Sequence, residues 1–293
     1  MRFFFVIEGG NMIKSRNLAF DYITRDENDN VTGIKRALDD VNINVKKGQF
    51  IAIIGGNGSG KSTFAKHLNA ILLPTEGTVY VDGNNTLEEG KRQEIRQKSG
   101  MVFQNPDNQI LGATVEEDVG FGPENLGIHT KEIWERVEGS LKKLGIYEYA
   151  KYSPNNLSGG QKQKVVIAGT LAMKPQCIVL DEPTSMLDPE GRKEVIDSIT
   201  QLNREENITV ILITHYLEEV VNADYIYVMN DGKVILEGRP GVVFAREEFL
   251  EECGIKVPSI VKLNNILQKS NRINKSDAFT VEELAKKILE NMK

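Results

Sequence analysis

The run Gly55-Gly56-Asn57-Gly58-Ser59-Gly60-Lys61-Ser62-Thr63 carries the residue types that hold a phosphate chain. Its glycines let the backbone wrap closely with N–H groups turned inward. A helix starting at Lys61 would add the favourable end of its dipole. In this P-loop pattern Lys61 reaches the outer phosphates and Ser62 offers a hydroxyl to Mg²⁺. A second chemical element is Ile178-Val179-Leu180-Asp181-Glu182, an apolar run closing on two acids. Successive residues of a strand point opposite ways, so the carboxylates can take different tasks. Asp181 suits Mg²⁺, and Glu182 suits the water that attacks a phosphate.

Leu157-Ser158-Gly159-Gly160-Gln161 is the most specific string in the chain. It resembles the signature of ATP-binding-cassette (ABC) ATPases, and the resemblance extends from residue 12 to about residue 245. Membership implies two ATP molecules sandwiched between two subunits, each P-loop facing the signature of the other. Ser158 and the Gly159 and Gly160 amides would then meet the γ-phosphate in trans. The family's remaining positions occur in order. Gln104 matches the glutamine that touches Mg²⁺ and the water. Asp188, in Ser185-Met186-Leu187-Asp188, matches the D-loop, although Met186 stands where a small residue is usual. His215 matches the switch histidine that contacts the γ-phosphate, whereas His67 and His129 read as structural. Tyr22 matches the ring that stacks on adenine, with Phe20 as the nearby competitor.

Val102–Gln109 followed by Val115–Gly122 is similar to the energy-coupling factor importers, including their cobalt-type ATPases. This implies an ATP-hydrolysing subunit for vitamin or transition-metal uptake, with ATP and Mg²⁺ as cofactors. The implied partners are a second ABC ATPase, identical or different, a transmembrane scaffold and a substrate-capture membrane protein. No nucleic-acid partner is expected. The place is the cytoplasmic side of the cell membrane, as a peripheral protein. Asn57 and the Ser185–Asp188 string look more like the first than the second of the paired ATPases. Ile110, Leu111 and Val115, just beyond Gln104, form the expected docking surface, with internal packing as the other reading. The alternatives are a soluble cassette ATPase acting on DNA or ribosomes, or the ATPase of another ABC transporter type. Such soluble relatives usually carry fused cassettes or coiled coils, and neither is present here.

The elements that must position these residues follow from hydropathy. Strands are expected over Met12–Tyr22, Ala37–Val45, Phe50–Ile54, Val79–Val81, Met101–Phe103, Ile178–Leu180, Thr209–Ile213 and Ile226–Met229, with a polar turn at Asp26–Asn30. The Phe50–Ile54 run is apolar throughout, as expected of a strand buried on both faces. Strands alternating with helices predict a largely parallel α/β core. Residues 115–175 read as mostly helical, with Trp134, Val137, Leu141 and Leu144 forming a core-facing stripe. The resemblance adds an antiparallel β part and an inserted helical subdomain over about 105–170. The expected domains are an N-terminal extension (1–11), the ABC ATPase domain (12–245) and a helical C-terminal extension (246–293). Met12 competes with Met1 as the natural start. In the tail, Thr280 and Glu283 form a possible capping box ahead of Leu284, Ile288 and Met292. The tail suits either a packed terminus or a subunit contact.

Composition agrees with this outline. The 293 residues are 40% hydrophobic and 27% charged, with a net charge of −6, an ordinary globular balance without a global basic footprint. Cys177 and Cys253 are the two cysteines; they have no metal-type spacing, and Cys177 reads as a buried small hydrophobe. No run approaches the ~20 apolar residues of a membrane span.

Overall fold

The computed structural model describes residues 10–273 and 278–291. Most of the expected N-terminal extension therefore lies outside the described residues, as does Met292. The strands are β1 (Asn11–Arg25), β2 (Val31–Val41), β3 (Asn44–Lys46), β4 (Phe50–Gly55), β5 (Glu76–Val81), β6 (Asn84–Asn85), β7 (Ser99–Val102), β8 (Cys177–Asp181), β9 (Thr209–Thr214), β10 (Tyr225–Asn230) and β11 (Lys233–Gly238). The helices are α1 (Lys61–His67), α2 (Arg92–Lys98), α3 (Val115–Asn125), α4 (Thr130–Lys143), α5 (Gly159–Ala172), α6 (Pro189–Glu206), α7 (Pro240–Phe244), α8 (Glu247–Glu252), α9 (Ser259–Lys269) and α10 (Val281–Asn291).

One sheet runs β11-β10-β4-β9-β8-β7. Its strands from β10 to β7 pair in parallel, and β11 closes the edge antiparallel. Strands β4, β8 and β9 are buried along their whole length, as a parallel sheet covered on both faces requires. Their side chains alternate between two cores, following the period of the pleat. Phe50, Ala52 and Ile54 join Ile178, Leu180, Val210 and Leu212 in the core beneath α5 and α6. Ile51 and Ile53 join Val179, Ile211, Ile213 and Phe64 in the other core, which the second sheet covers. That sheet is antiparallel, in the order β2-β1-β5-β6 with β3 paired to β1.

The expected Asp26–Asn30 turn closes the β1–β2 hairpin. Asp26 Oδ1 accepts the amides of Asn28 and Asn30, each at 2.9 Å. The single strand expected over Ala37–Val45 is instead two strands, because a polar cluster interrupts it. Asn42 Oδ1 accepts the Asn17 amide at 2.8 Å, and Asp40 takes a positive φ of 56°. The strand also begins earlier than expected, at Val31.

Helices α3, α4 and α5 pack together beside the parallel sheet. The expected stripe on α4 is corrected at its first member: Trp134 is 47% exposed, whereas Val137, Leu141 and Leu144 are buried. The inward row starts at Ile133, since positions 133, 137 and 141 follow the four-residue spacing of one helix face. A side chain at Gly120 of α3 would meet the methyls of Ile133 and Val137 at 3.6 Å. The expected docking surface is also corrected. Val115 is fully buried, Ile110 packs on the core, and only Leu111 of the three is exposed, at 72%.

In the tail, the Thr280–Glu283 capping box forms. Glu283 Oε2 accepts the Thr280 amide and Thr280 Oγ1 accepts the Glu283 amide, both at 3.2 Å. Leu284 is buried, with Ile260, Leu267 and Ile288 packed around it.

Candidate active site

Four of the chain's motifs leave the carboxyl ends of neighbouring parallel strands, where α/β sheets place their ligand sites. The P-loop follows β4, Asp181 ends β8, His215 follows β9, and Gln104 lies just beyond β7. Because β4 pairs with β9, and β9 with β8, the residues converge without any long connection.

The P-loop conformation depends on glycine at Gly60, which has φ +101° and ψ −2° and stands directly before α1. A Cβ there would lie 2.7 Å from the Ala37 carbonyl oxygen. Lys61 is 4% exposed, and its Nζ donates to the carbonyls of Gly55 and Gly56, both at 2.9 Å. Burial lowers its pKa, opposed by the charges of Glu182 and Asp181. Ser62 Oγ donates to Asp181 Oδ1 at 2.8 Å. Asp181 is buried, and that burial raises its pKa.

Glu182 occupies the left-handed region with φ +50°, a conformation uncommon outside glycine. The turn separates its surroundings from those of Asp181. Glu182 Oε1 is 3.9 Å from Lys61 Nζ, its Oε2 is 3.5 Å from Gln104 Nε2, and the same oxygen is 3.6 Å from His215 Nδ1. The two adjacent carboxylates thus have different neighbours. Tyr22, 41% exposed, places its hydroxyl 3.3 Å from Thr63 Oγ1. Phe20 stands edge-on to both Tyr22 and His67, with ring centroids 4.9 Å apart in each pair, and packs on the core.

The signature lies apart from this cluster, at the start of α5. Ser158 caps the helix: its Oγ accepts the Gln161 amide at 3.3 Å, and the Gln161 side-chain oxygen accepts the Ser158 amide at 2.8 Å. This reciprocal pair explains the glutamine at the end of the string. Ser158 uses one lone pair there, leaving its proton free for an acceptor. Leu157 is buried as an anchor, while Ser158 and Gly159 are exposed. Side chains at Gly159 and Gly160 would meet Leu187 and Gly191, not the P-loop. Asp188 caps α6 by accepting the Gly191 amide at 3.0 Å. His67 is buried with Nδ1 2.7 Å from the Thr63 carbonyl, and His129 caps α4, so both are structural.

Two features beside the site escaped the sequence. The Cys253 carbonyl approaches the P-loop, 3.6 Å from where a Gly56 Cβ would stand. A buried carboxylate, Glu219, accepts hydrogen bonds from Thr184 and Thr214. Its sequence signal is only a glutamate four residues after His215, and Glu218 beside it is indistinguishable by type.

Residues 38–185 match the family model described as ABC transporter. The energy-coupling factor transporter ATP-binding protein EcfA1 of Clostridium novyi (strain NT) is 51% identical, across 94% of this chain and 96% of the relative. Its counterpart from Caldanaerobacter subterraneus subsp. tengcongensis is 55% identical, across 93% and 97%. Among solved structures, cbiO1 of Clostridium perfringens, described as part of the ABC transporter complex cbiONQ, superposes with a TM-score of 0.73. It is 37% identical and covers 87% of this chain and 98% of its own. The ATP-binding cassette MJ0796, solved as a dimer bound to ADP and Pi, gives a TM-score of 0.68 at 34% identity, covering 78% of this chain and 99% of its own. With a P-loop, paired acids and an exposed signature placed as this geometry places them, the chain belongs to the ABC transporter family, in the branch of energy-coupling factor transporter ATP-binding proteins of the EcfA1 type.

Proposed function

We propose that this chain binds MgATP in its P-loop and hydrolyses it across an interface with a second ABC ATPase. In this reading hydrolysis drives uptake of a vitamin or transition-metal ion through a transmembrane scaffold and a separate capture protein. The carrying observation is the convergence of Lys61, Ser62, Gln104, Asp181, Glu182 and His215 at adjoining strand ends, while Ser158 is exposed at the start of α5 and bonded to Gln161 instead.

Glu182 orients the attacking water and takes up its proton, with Gln104 and His215 restricting where that water sits. Lys61 exchanges its two carbonyl partners for phosphate oxygens, a small movement for a side chain already at the loop. Tyr22, beside Thr63, offers its ring to adenine. Ser158 and the amides that follow it supply donors to the γ-phosphate of the partner's nucleotide. The residues present fit Mg²⁺: the Ser62 hydroxyl and the buried Asp181 carboxylate are hard oxygen donors side by side. When bound there, Mg²⁺ would neutralise charge on the phosphate oxygens.

Among the described residues no helix is long and apolar enough to cross a membrane, so attachment is assigned to partner chains on the cytoplasmic face. Relatives named as transporter subunits, and cbiO1 as part of a transporter complex, support that assembly. Exposed Leu111, close in sequence to Gln104, is the docking residue of this reading.

Membrane fractionation and pull-down from the native cell test it, comparing wild type with Leu111→Asp. The expected result is wild type in the membrane fraction with a second cassette and membrane proteins. The variant should attach more weakly, because it would bury an unpaired charge, with ATP affinity unchanged. Wild type found free of membranes, with ribosomes or DNA as its main partner, would overturn the transport reading.

A further inference from the structure

Glu219 lies on the short turn Leu217–Val220 that follows His215. It is 7% exposed, whereas the adjacent Glu218 is exposed. Both of its oxygens are used. Oε1 accepts from Thr184 Oγ1 at 2.6 Å, and Oε2 accepts from Thr214 Oγ1 at 2.7 Å. These are the short lengths of hydroxyl bonds to a charged acceptor. The Thr214 Oγ1 also accepts the Tyr216 amide at 3.0 Å, so its proton is left to Glu219. Both threonines are 1% exposed.

The positions of the threonines give this cluster its meaning. Thr184 is two residues after Glu182, and its carbonyl accepts the Leu187 amide at 3.0 Å in the turn toward Asp188. Thr214 is the residue directly before His215. Strands β8 and β9 are joined as far as the Glu182 amide bond to the Ile213 carbonyl, 2.9 Å. Beyond that bond the two segments leave the sheet as separate loops, and the Glu219 carboxylate bridges them.

We propose that Glu219 is a positioning residue: it ties the turn carrying Glu182 to the turn carrying His215, and so fixes their separation around the attacking water. This rests on the reading in which Glu182 and His215 act on that water. A carboxylate suits the task because it accepts from two hydroxyls at once. A glutamine fills the same volume but offers one carbonyl oxygen, so one charge-assisted bond is at best replaced by a weaker amide-to-hydroxyl bond, and that threonine's proton loses its acceptor. Burial raises the pKa of Glu219, and the two hydroxyl donors oppose that rise.

Steady-state ATPase kinetics and equilibrium ATP binding on the assembled full chain separate this role from general stability. Glu219→Gln should lower kcat about ten- to a hundredfold, the scale of losing a residue that orients a reactive group. KM and ATP affinity should stay within about twofold, because the P-loop contacts are untouched. Thr184→Val should lower kcat similarly, and adding it to Glu219→Gln should cost less than the sum of the two, since both act on the same bridge. Thr184→Ser restores the hydroxyl and should turn over faster than Thr184→Val. Wild-type kcat in Glu219→Gln, or loss of ATP affinity in parallel with kcat, overturns the proposal. If Glu219→Gln does not fold, equal rates in Thr184→Ser and Thr184→Val overturn it instead. Glu182→Gln is measured beside them. Its failure to slow hydrolysis would refute the site reading itself, whereas a slow Glu182→Gln beside a fast Glu219→Gln refutes the positioning role alone.

Discussion

Two glycines of the P-loop should respond very differently to alanine. Gly58 has φ +79° and a Cβ there meets nothing within 4 Å, whereas Gly60 has φ +101° and a Cβ lying 2.7 Å from the Ala37 carbonyl oxygen and 2.9 Å from Leu38 Cδ2. Gly58→Ala therefore suffers left-handed backbone strain of about 1–2 kcal/mol, offset in part by roughly 0.5 kcal/mol from a stiffer unfolded chain. Gly60→Ala carries that strain and overpacks as well. The closest atom it meets is backbone on β2 and cannot swing aside, which adds about 1–3 kcal/mol. The gap between the variants should thus be about 1–3 kcal/mol, with Gly60→Ala the less stable. Urea unfolding without nucleotide reads this directly, because bound ATP would add its own stabilisation. Equal midpoints at unchanged slope, or a lower midpoint for Gly58→Ala, would refute the assignment of the close approach to Gly60.

Further outcomes are expected. Where the chain pairs with a second copy of itself, dimers of a Ser158→Arg subunit with a Lys61→Ala subunit should regain ATPase activity that neither parent homodimer shows, because one of their two sites carries neither lesion; verified mixed dimers without recovery would exclude a site completed in trans. A small maleimide near neutral pH should modify Cys253, which is partly exposed, and spare Cys177, which is fully buried with its thiol pushed up to about 12; rapid modification of both thiols in the native chain would contradict that burial. Burial also raises Tyr227 from 10.0 to about 12, and Cys177 from 9.0. The folded chain keeps these protons where the unfolded chain loses them, so stability should fall as pH rises from about 9 toward 12. A urea midpoint that is flat or rising across that range would contradict it.

The parallel core was legible because its strands are apolar on both faces, so composition alone marks Phe50–Ile54 and Thr209–Ile213. Lys61, Ser62, Asp181 and Glu182 were legible from residue type and spacing, which phosphate chemistry fixes together, whereas Gln104, His215, Ser158, Asp188 and Tyr22 were marked only by the resemblance to ABC ATPases. What stayed hidden depends on tertiary placement. The break between β2 and β3 comes from Asn17, Asp40 and Asn42 meeting across a hairpin, which hydropathy does not register. Trp134 shares the helical spacing of Val137, Leu141 and Leu144, yet the inward row of α4 begins one residue earlier, at Ile133. Strand β11, by contrast, goes unexpected although its signal is present: Asp231-Gly232 is a hairpin turn and Val234-Ile235-Leu236 an apolar run, so the miss lies in stopping at Met229. Glu218 and Glu219 are identical in type, and only the fold determines which is buried against the two threonines.

The most direct test of the central claim is ATP turnover by Glu182→Gln in an assembly with no other active site, with ATP binding measured in parallel. The substitution keeps the side chain's size beside Lys61, Gln104 and His215 and removes its charge. ATP should still bind, and hydrolysis should fall about 10²–10⁴-fold, the usual contribution of a positioned general base. Turnover near the wild-type rate would contradict the assignment of the attacking water to Glu182.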